Sequence, residues 1–456
     1  MPKQTSKKND GDLRPLNPNA AGIDIGSQTH YVAVPADRDR EPVRSFGCLT
    51  PDLHQMAKWL KSCNIETIAM ESTGVYWVPV VAVLESYGFD VKLVDAYKVK
   101  NVPGRKTDVK DCQWLQELHR FGLLSGAFRP EEQIQVLRSY WRHRGEMVES
   151  CSRQIHLMQK ALEQMNIQLH KVITDITGVT GMKIIRAIVA GERDAVRLAE
   201  MRHPLIKNST DTIAKALTGE YRQEHLFTLK QALEIYDIYR DKIVECDRQI
   251  ESYMQTFERK SDVKDLDSKS GKKNINKRRK NQPNFDLKTR LFEMTGVDLT
   301  LIDGIETMTA QTIVSECGFD MSTFPTEKHF TSWLGLCPNN QITGGKVRKR
   351  RTRKVQNRAS LALRLAAQSL HNNKSALGAF YRRMRARLGA PKAITATAHK
   401  LARLVYRMLK YGMDYVDIGQ QYYEKQYQKR VIENLTKRAR QMGYKIICAN
   451  TGELVS

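Results

Sequence analysis

Long hydrophobic runs are missing from this 456-residue chain. No run approaches the roughly 18 consecutive apolar residues that a membrane-spanning helix needs. Residues 1–18 are polar and basic and lack the apolar stretch of a secretory signal. Both absences argue against insertion into a membrane or export across one, and we therefore expect a cytoplasmic protein.

The sequence also lacks cysteine clusters, and its acidic residues are outnumbered by basic ones. The eight cysteines lie far apart, with no CxxC pair and no Cys/His cluster at metal spacing, which disfavours a disulfide framework and a structural zinc site. Lys and Arg number 74 against 50 Asp and Glu, which gives a net charge of +24. Such an excess favours a polyanionic partner, nucleic acid before an anionic membrane, so we expect association with the nucleoid.

The N-terminal part of the chain shows the segment order of a mixed α/β sheet. Residues 1–20 are polar and are predicted to be a disordered tail. Three closely spaced strand-like segments follow, then a helix, a strand, a helix, a strand and a further helix. This order is typical of a ribonuclease-H-like domain with helices on both faces of its sheet. We assign that domain to residues 21–128.

Four acidic residues fall where this fold can bring them to one sheet edge. Asp24 lies inside the first strand, Glu71 ends the fourth, and Asp108 and Asp111 share one face at the start of the last helix. A carboxylate in an apolar strand is costly to bury unless it is paired or binds a metal. Two metal ions held there would activate a nucleophile and stabilise a leaving oxygen in phosphoryl transfer. Alternatively, Asp24 supports a turn and Asp108 is a helix N-terminal acid favoured by the dipole.

Residues 129–290 are predicted to be mainly helical. Apolar positions at intervals of three and four predict long helices over 131–169 and 221–259, which can pair as an antiparallel hairpin. Such a stripe needs a partner, either in a coiled coil or dimer contact or within its own domain. Residues 260–285 are charged and lack apolar periodicity, which indicates a basic linker or insertion that is disordered when free.

Residues 291–415 form the predicted C-terminal domain, and 416–456 a helical tail. Gly304 opens a segment that resembles a helix-hairpin-helix module, whose backbone N–H groups suit a DNA phosphate. Thr343 precedes Gly344 and Gly345, which permit close approach of a ligand, and Lys346, which can neutralise a phosphate. The spacing is not that of a Walker loop. By spacing alone, Thr343 is equally a turn residue or a plain hydrogen-bond donor to phosphate.

Basic residues near these motifs are the predicted nucleic-acid contacts. Seven of the residues from Lys346 to Lys354 are Lys or Arg, a density that favours binding to a phosphate backbone. The full predicted set is Lys106, Lys110, Gly304, Gly344, Gly345, Lys346, Arg348, Lys349, Arg350, Arg351, Arg353 and Lys354.

Four motifs together resemble one known family. They are GIDIG from Gly22, MESTGVYW from Met70, KTDVKD from Lys106 and WLGLCPNNQITGGK from Trp333. They look like the motifs of the DEDD transposases of bacterial insertion sequences, the family that includes the Piv-type DNA invertase and the bridge-RNA-guided recombinases. The resemblance covers about residues 21–423.

The resemblance implies a fold, a cofactor and partners. It implies a Holliday-junction-resolvase-like N-terminal domain, a helical coiled-coil linker and a C-terminal transposase domain whose hydroxyl nucleophile is usually a serine. The expected cofactor is Mg²⁺, as one or two ions. The expected partners are DNA at the element ends and target, a guide RNA, and further copies of the chain in a homodimer that assembles to a tetramer on DNA. The implied metal ligands are Asp24, Glu71, Asp108 and Asp111.

Position 343 departs from the family pattern, because threonine stands where the nucleophile is usually serine. Threonine can attack a phosphate, but its methyl group restricts χ1 and crowds the line of attack. We predict a recombinase that excises and inserts its own element through Thr343. A Holliday-junction-type nuclease that uses only the acids and water would instead stay active without this hydroxyl. A non-enzymatic architectural protein that binds nucleic acid would be indifferent to loss of Asp24 or Asp108.

Overall fold

The computed structural model describes residues 14–72, 74–94, 108–124, 126–261, 281–349, 351–353, 355–412, 417 and 419–447. The chain divides into two compact units, Met1–Arg129 and Pro130–Ser456. Most of the basic segment predicted to be disordered, 262–280, lies outside the described residues. Among the described helices, none has both the length and the apolar character needed to cross a bilayer.

The first unit contains a five-stranded mixed sheet. Its strands lie in the order β3-β2-β1-β4-β5, with β2 antiparallel to β1 and β3, and with β4 parallel to β1 and β5. Parallel neighbours need crossover connections, and helices supply them before β4 and β5. The mixed α/β sheet predicted from the segment order is therefore confirmed. The strands are β1 Ala20–Ile25, β2 Thr29–Ala33, β3 Val43–Gly47, β4 Thr67–Glu71 and β5 Asp90–Val94.

Helices cover both faces of this sheet. On one face, α1 (Thr50–Ser62) and α2 (Trp77–Ser86) enclose a core that contains Ile23, Ile68 and Met70, each with no exposed surface. Burial of one such side chain stabilises the fold by about 1.5–3 kcal/mol. On the opposite face lies α3 (Asp108–Arg120), which contacts β1, β2 and β4.

Residues 14–20, at the end of the predicted disordered tail, are described, whereas residues 1–13 lie outside the described residues. Strand β1 begins at Ala20, which is fully buried. Asn17 is already fixed, because its backbone N–H donates to the Arg120 carbonyl at 2.9 Å and its side-chain amide donates to the His119 carbonyl at 2.7 Å. These bonds satisfy the last carbonyls of α3, and that is the physical reason why the polar segment is held to the sheet here.

The second unit contains two long helices, α4 (Glu132–Gln164) and α9 (Gln223–Met254). They run antiparallel, since Gln249 donates to the Tyr140 hydroxyl at 3.3 Å and the Tyr253 hydroxyl donates to the Gln133 carbonyl at 3.2 Å. Most of the apolar stripe of each long helix is thus buried within its own unit and the predicted hairpin forms, although Ile238 of the predicted stripe is exposed.

Four shorter helices join the long pair and complete its core. They are α5 (Leu169–Val172), α6 (Val179–Val189), α7 (Ala195–Glu200) and α8 (Thr210–Leu217). Ile184, Leu198 and Leu217 are fully buried in this cluster, so the chain between the long helices is structural rather than a loose linker.

The rest of the unit is helical apart from one hairpin. Residues 376–411 form two helices that meet at Gly389, whose φ of +79° only glycine adopts easily, and Pro391 lies in the first turn of the second helix. The elements are α10 Leu287–Thr295, α11 Thr307–Cys317, α12 Glu327–Trp333, β6 Gln341–Thr343, β7 Lys346–Lys349, α13 Arg358–Ser369, α14 Ala376–Leu388, α15 Ala390–Tyr411 and α16 Gln420–Gln441.

Candidate active site

Asp24 and Glu71 occupy neighbouring positions on two parallel strands. Ile23 of β1 is in register with Met70 of β4, so the next residue on each strand is one of the two acids. Side chains alternate between the faces of a sheet, and Ile23 and Met70 point into the core under α1 and α2. Asp24 and Glu71 therefore share the opposite face, the one covered by α3.

Helix α3 packs on β1 at very short range. A side-chain carbon at Gly22 would overlap the Cys112 carbonyl oxygen and the Gln116 backbone nitrogen, so only glycine fits. Gln116 also donates from its amide to the Ala20 carbonyl at 3.3 Å. The strand therefore starts beside the end of the helix, and Asp24 lies toward the first turn of α3.

The pKa of the Cys112 thiol is raised by its surroundings. Burial, with smaller effects of the negative charges of Asp24 and Asp111, raises the pKa of Cys112 to about 12. Asp24 is therefore near the first turn of α3, in which Asp111 directly precedes Cys112. Asp108 begins α3, one turn before Asp111, and its side chain lies outside the described atoms.

The chemistry of this donor set suits a hard divalent cation. Carboxylate oxygens are the ligands that Mg²⁺ prefers, and the acids of two strands share the sheet face that α3 covers. Among the side chains that the structure describes, no three acidic, histidine or cysteine groups are already close enough to hold a metal ion. The strand register places Asp24 and Glu71 side by side, but Asp111 does not complete a three-ligand group with them among the described residues. The fourth predicted ligand, Asp108, falls outside that search.

Thr343 lies at the tip of a β-hairpin in the second unit. It pairs with Lys346, and the two residues between them, Gly344 and Gly345, have φ of +56° and +72°. Two positive φ values are typical of the type I′ turn that closes two-residue hairpins. A Cβ added at either glycine would meet no atom within 4 Å, so the turn rather than crowding requires them. Thr343 and Lys346 are exposed.

The hairpin continues into an arm, residues 339–353, whose two ends are held by hydrogen bonds. The Asn339 backbone N–H donates to the Arg351 carbonyl at 2.9 Å, and Arg353 donates from its guanidinium to the Ser332 carbonyl at 2.6 Å. Helix α12 precedes the arm and is fixed at Glu327, which accepts hydrogen bonds from α15. Burial raises the pKa of Glu327, but hydrogen bonds from two arginines outweigh it and hold that pKa below its ordinary value.

Most of the described residues in the predicted nucleic-acid-binding set are exposed to solvent. Lys110, Lys346, Arg348, Arg351 and Arg353 are exposed, although Arg353 already donates to the protein. Nothing is described for Lys106, Arg350 and Lys354 or for the side chain of Lys349.

Packing within the second unit explains why residue 304 is a glycine. Its φ is +88°, and a side-chain carbon there would lie 2.8 Å from the Ala366 carbonyl oxygen and 3.0 Å from Leu370. The glycine thus permits close packing against α13.

Gly22 was not singled out by reasoning from the sequence, although it is decisive for this site. The signal was present, because a glycine inside an apolar strand two residues before an acid indicates close approach of another backbone. Tyr31 was not singled out from the sequence either. It pairs with Asp24 across β1 and β2 and therefore shares the face of that acid.

Two family models match the chain, one in each part that carries a candidate motif. A DEDD transposase model of the IS110 type, described as Transposase, matches residues 21–167. The model described as Transposase IS116/IS110/IS902 family matches residues 297–382. No curated protein sequence matches the chain.

These matches define the class first: the chain is a DNA transposase or recombinase of an insertion sequence, and its class implies DNA binding. In particular, it belongs to the IS110 family of DEDD transposases, because both matched segments are IS110-type and together they span just over half of the chain. DEDD transposases are in general metal-dependent. The resemblance seen in the sequence is confirmed.

Proposed function

We propose that this transposase excises and inserts its element by metal-assisted phosphoryl transfer on the α3-covered face of a ribonuclease-H-like sheet. The observation that carries the proposal is the strand register, which puts Asp24 beside Glu71 on the same face as the first turn of α3. The strand order, with β2 antiparallel between β1 and β3, supports the ribonuclease-H-like assignment.

The four acids would hold Mg²⁺, which activates a nucleophile and stabilises the leaving oxygen when it is bound. The ligands we propose are Asp24, Glu71, Asp108 and Asp111. Burial of Cys112 between two of them keeps its thiol protonated, so this sulfur adds no further negative charge.

The nucleophile we propose is the Thr343 hydroxyl. Its exposed place at the hairpin tip leaves room for a DNA phosphate. Lys346 is its cross-strand partner, with Cβ atoms about 4.5–5.5 Å apart, so the ammonium group can neutralise the phosphate under attack. Attack forms an Oγ–P bond and breaks the bond to one sugar oxygen, which takes up a proton while the threonine proton passes to solvent. The product is a protein–DNA phosphodiester.

One observation favours a second candidate, a metal-dependent nuclease that uses water. The type I′ geometry gives Gly344 and Gly345 a purely structural reason, and Thr343 is then simply the residue before a turn. In that case the exposed basic arm binds the DNA backbone and water attacks the phosphate.

Denaturing electrophoresis tests both candidates. The full-length protein is incubated with Mg²⁺, donor DNA that carries the element ends, and the flanking RNA. We expect a covalent protein–DNA band for the wild type and for Thr343→Ser, and none for Thr343→Ala or Asp24→Asn. Thr352→Ala, on the same arm but away from its tip, is the matched control and should keep the band. Cleavage of DNA by Thr343→Ala without a band would establish the water mechanism.

We also propose a guide RNA and a homodimer that assembles to a tetramer on DNA. The charge of +24 and the exposed basic arm suit RNA as well as DNA. On α9, Phe227 and Ile238 are exposed on the side opposite the buried Leu229 and Leu233, an apolar surface suited to a second copy. Omission of the RNA should abolish donor cleavage, and light scattering with and without DNA should give the two assembly states.

A further inference from the structure

Exposed apolar side chains follow Glu71 directly. The Ser72 backbone N–H donates to the Val94 carbonyl at 3.4 Å, so the chain leaves the sheet at the carboxyl ends of β4 and β5. Beyond it, the Val75 side chain is 73% exposed and Tyr76, five positions after Glu71, is 45% exposed. Helix α2 begins at the next residue.

The exposure of Tyr76 has no reason within the fold. No hydrogen bond joins its hydroxyl to another described residue. The next residue, Trp77, is by contrast packed, with the Arg129 guanidinium carbon 5.9 Å from its ring centre. Val78 is exposed as well and is held in a turn by its N–H bond to the Val75 carbonyl at 3.2 Å. An exposed apolar patch of this kind is typical of a ligand surface.

The position of the patch indicates what kind of ligand it binds. A phosphate held by the acids of the sheet edge carries a nucleotide on each side, and the loop after Glu71 presents exposed apolar side chains within five positions of that acid. Aromatic rings bind bases by stacking, and this contact is independent of base identity because every base has a π-face.

We propose that Tyr76 is the platform on which a nucleobase beside the reacting phosphate stacks, with Val75 against the same nucleotide. This inference rests on the proposed function of the acids. A base can reach the ring only when it is unstacked from its neighbours, which costs least when it is unpaired or mismatched. The site therefore takes DNA with an unpaired nucleotide next to the reacting phosphate in preference to a regular duplex.

Photocrosslinking tests the proposal without the chemical step. The probe is a DNA duplex with a single unpaired 5-iodo-deoxyuridine, bound to the full-length protein in EDTA, irradiated, digested and analysed by mass spectrometry. The crosslinked peptide should contain Tyr76. Fluorescence anisotropy should give about 5- to 150-fold weaker binding for Tyr76→Ala, from a stacking contribution of about 1–3 kcal/mol.

The variants separate stacking from other roles. Tyr76→Phe keeps the ring and should retain both the crosslink and the affinity. Tyr422→Ala removes a tyrosine that is 54% exposed on α16 and should change neither. Unchanged affinity of Tyr76→Ala, a crosslink elsewhere, or an equal loss in Tyr76→Phe would overturn the proposal. Because EDTA excludes cleavage, failure of the metal or Thr343 mechanism would leave this readout intact.

Discussion

The sharpest prediction concerns Gly22, where β1 and α3 touch through their backbones. In Gly22→Ala the added carbon would lie 2.9 Å from the Gln116 Cα and closer still to two main-chain atoms, a separation that real Cβ atoms essentially never show. Backbone atoms cannot rotate away as a side chain can. Helix α3 must therefore move off the sheet, and its first turn, with Asp111, moves with it.

The size of the effect follows from this geometry. Overpacking of a well-packed core costs about 1–3 kcal/mol, and a clash between two backbones belongs at the upper end. For a unit of this size, a loss of about 3 kcal/mol lowers Tm by about 9–15 °C. A shift of about 1 Å between groups that act together at a reacting centre costs on the order of 10²-fold in rate. We therefore expect metal-dependent DNA cleavage to fall by at least that factor while DNA binding persists.

The assay combines a thermal unfolding curve with cleavage of labelled donor DNA below the Tm of the variant. Gly145→Ala is the matched control, because nothing lies within 4 Å of a side-chain carbon in that helical position, and alanine should stabilise α4 by about 0.5–1 kcal/mol. If Gly22→Ala kept both the wild-type Tm and the wild-type rate, the close approach of α3 to β1 would be refuted.

Two further predictions concern stability. Burial, with a smaller effect of Lys92, lowers the pKa of His119 to about 4 from its ordinary value near 6.5. The unfolded chain then binds a proton that the folded chain does not, so stability is full above pH 6.5 and falls by about 3 kcal/mol as the pH drops to 4. Separately, Arg144 and Asp247 form a buried ion pair at 2.5 Å, and Asp247→Asn, which leaves the arginine charge without its counter-ion, should cost about 3–5 kcal/mol.

Both are checked by Tm measurements on the full-length chain. His119→Gln should flatten the fall in Tm between pH 6.5 and 4, whereas the exposed His143→Gln should leave it as in the wild type. For the ion pair, Arg144→Met with Asp247→Leu should recover much of the stability lost by Asp247→Asn, since apolar replacement removes both buried charges. A double variant less stable than the single one would contradict this reasoning.

Much of the first unit could be predicted from local pattern. Alternating apolar residues and short polar turns predict the strands, and the apolar stripes predict the two long helices, because burial of one face sets a period of two or of about 3.6. Apolar periodicity alone does not detect the break between the helices that meet at Gly389, because the positive φ there is a matter of backbone geometry, although Pro391 is typical of the start of a helix. The hairpin at Thr343 was likewise not predicted as strands, since its segments have only three and four residues.

The sequence by itself determined the chemical types: carboxylates in an apolar strand and at a helix start, a hydroxyl before two glycines, and a strongly basic composition. Only the tertiary structure decided which of them meet. Register between β1 and β4 puts Asp24 beside Glu71, and the absence of a side chain at Gly22 lets α3 bring Asp111 to the same face. Both depend on contacts between segments about 50 to 90 positions apart, and no local pattern encodes such distances.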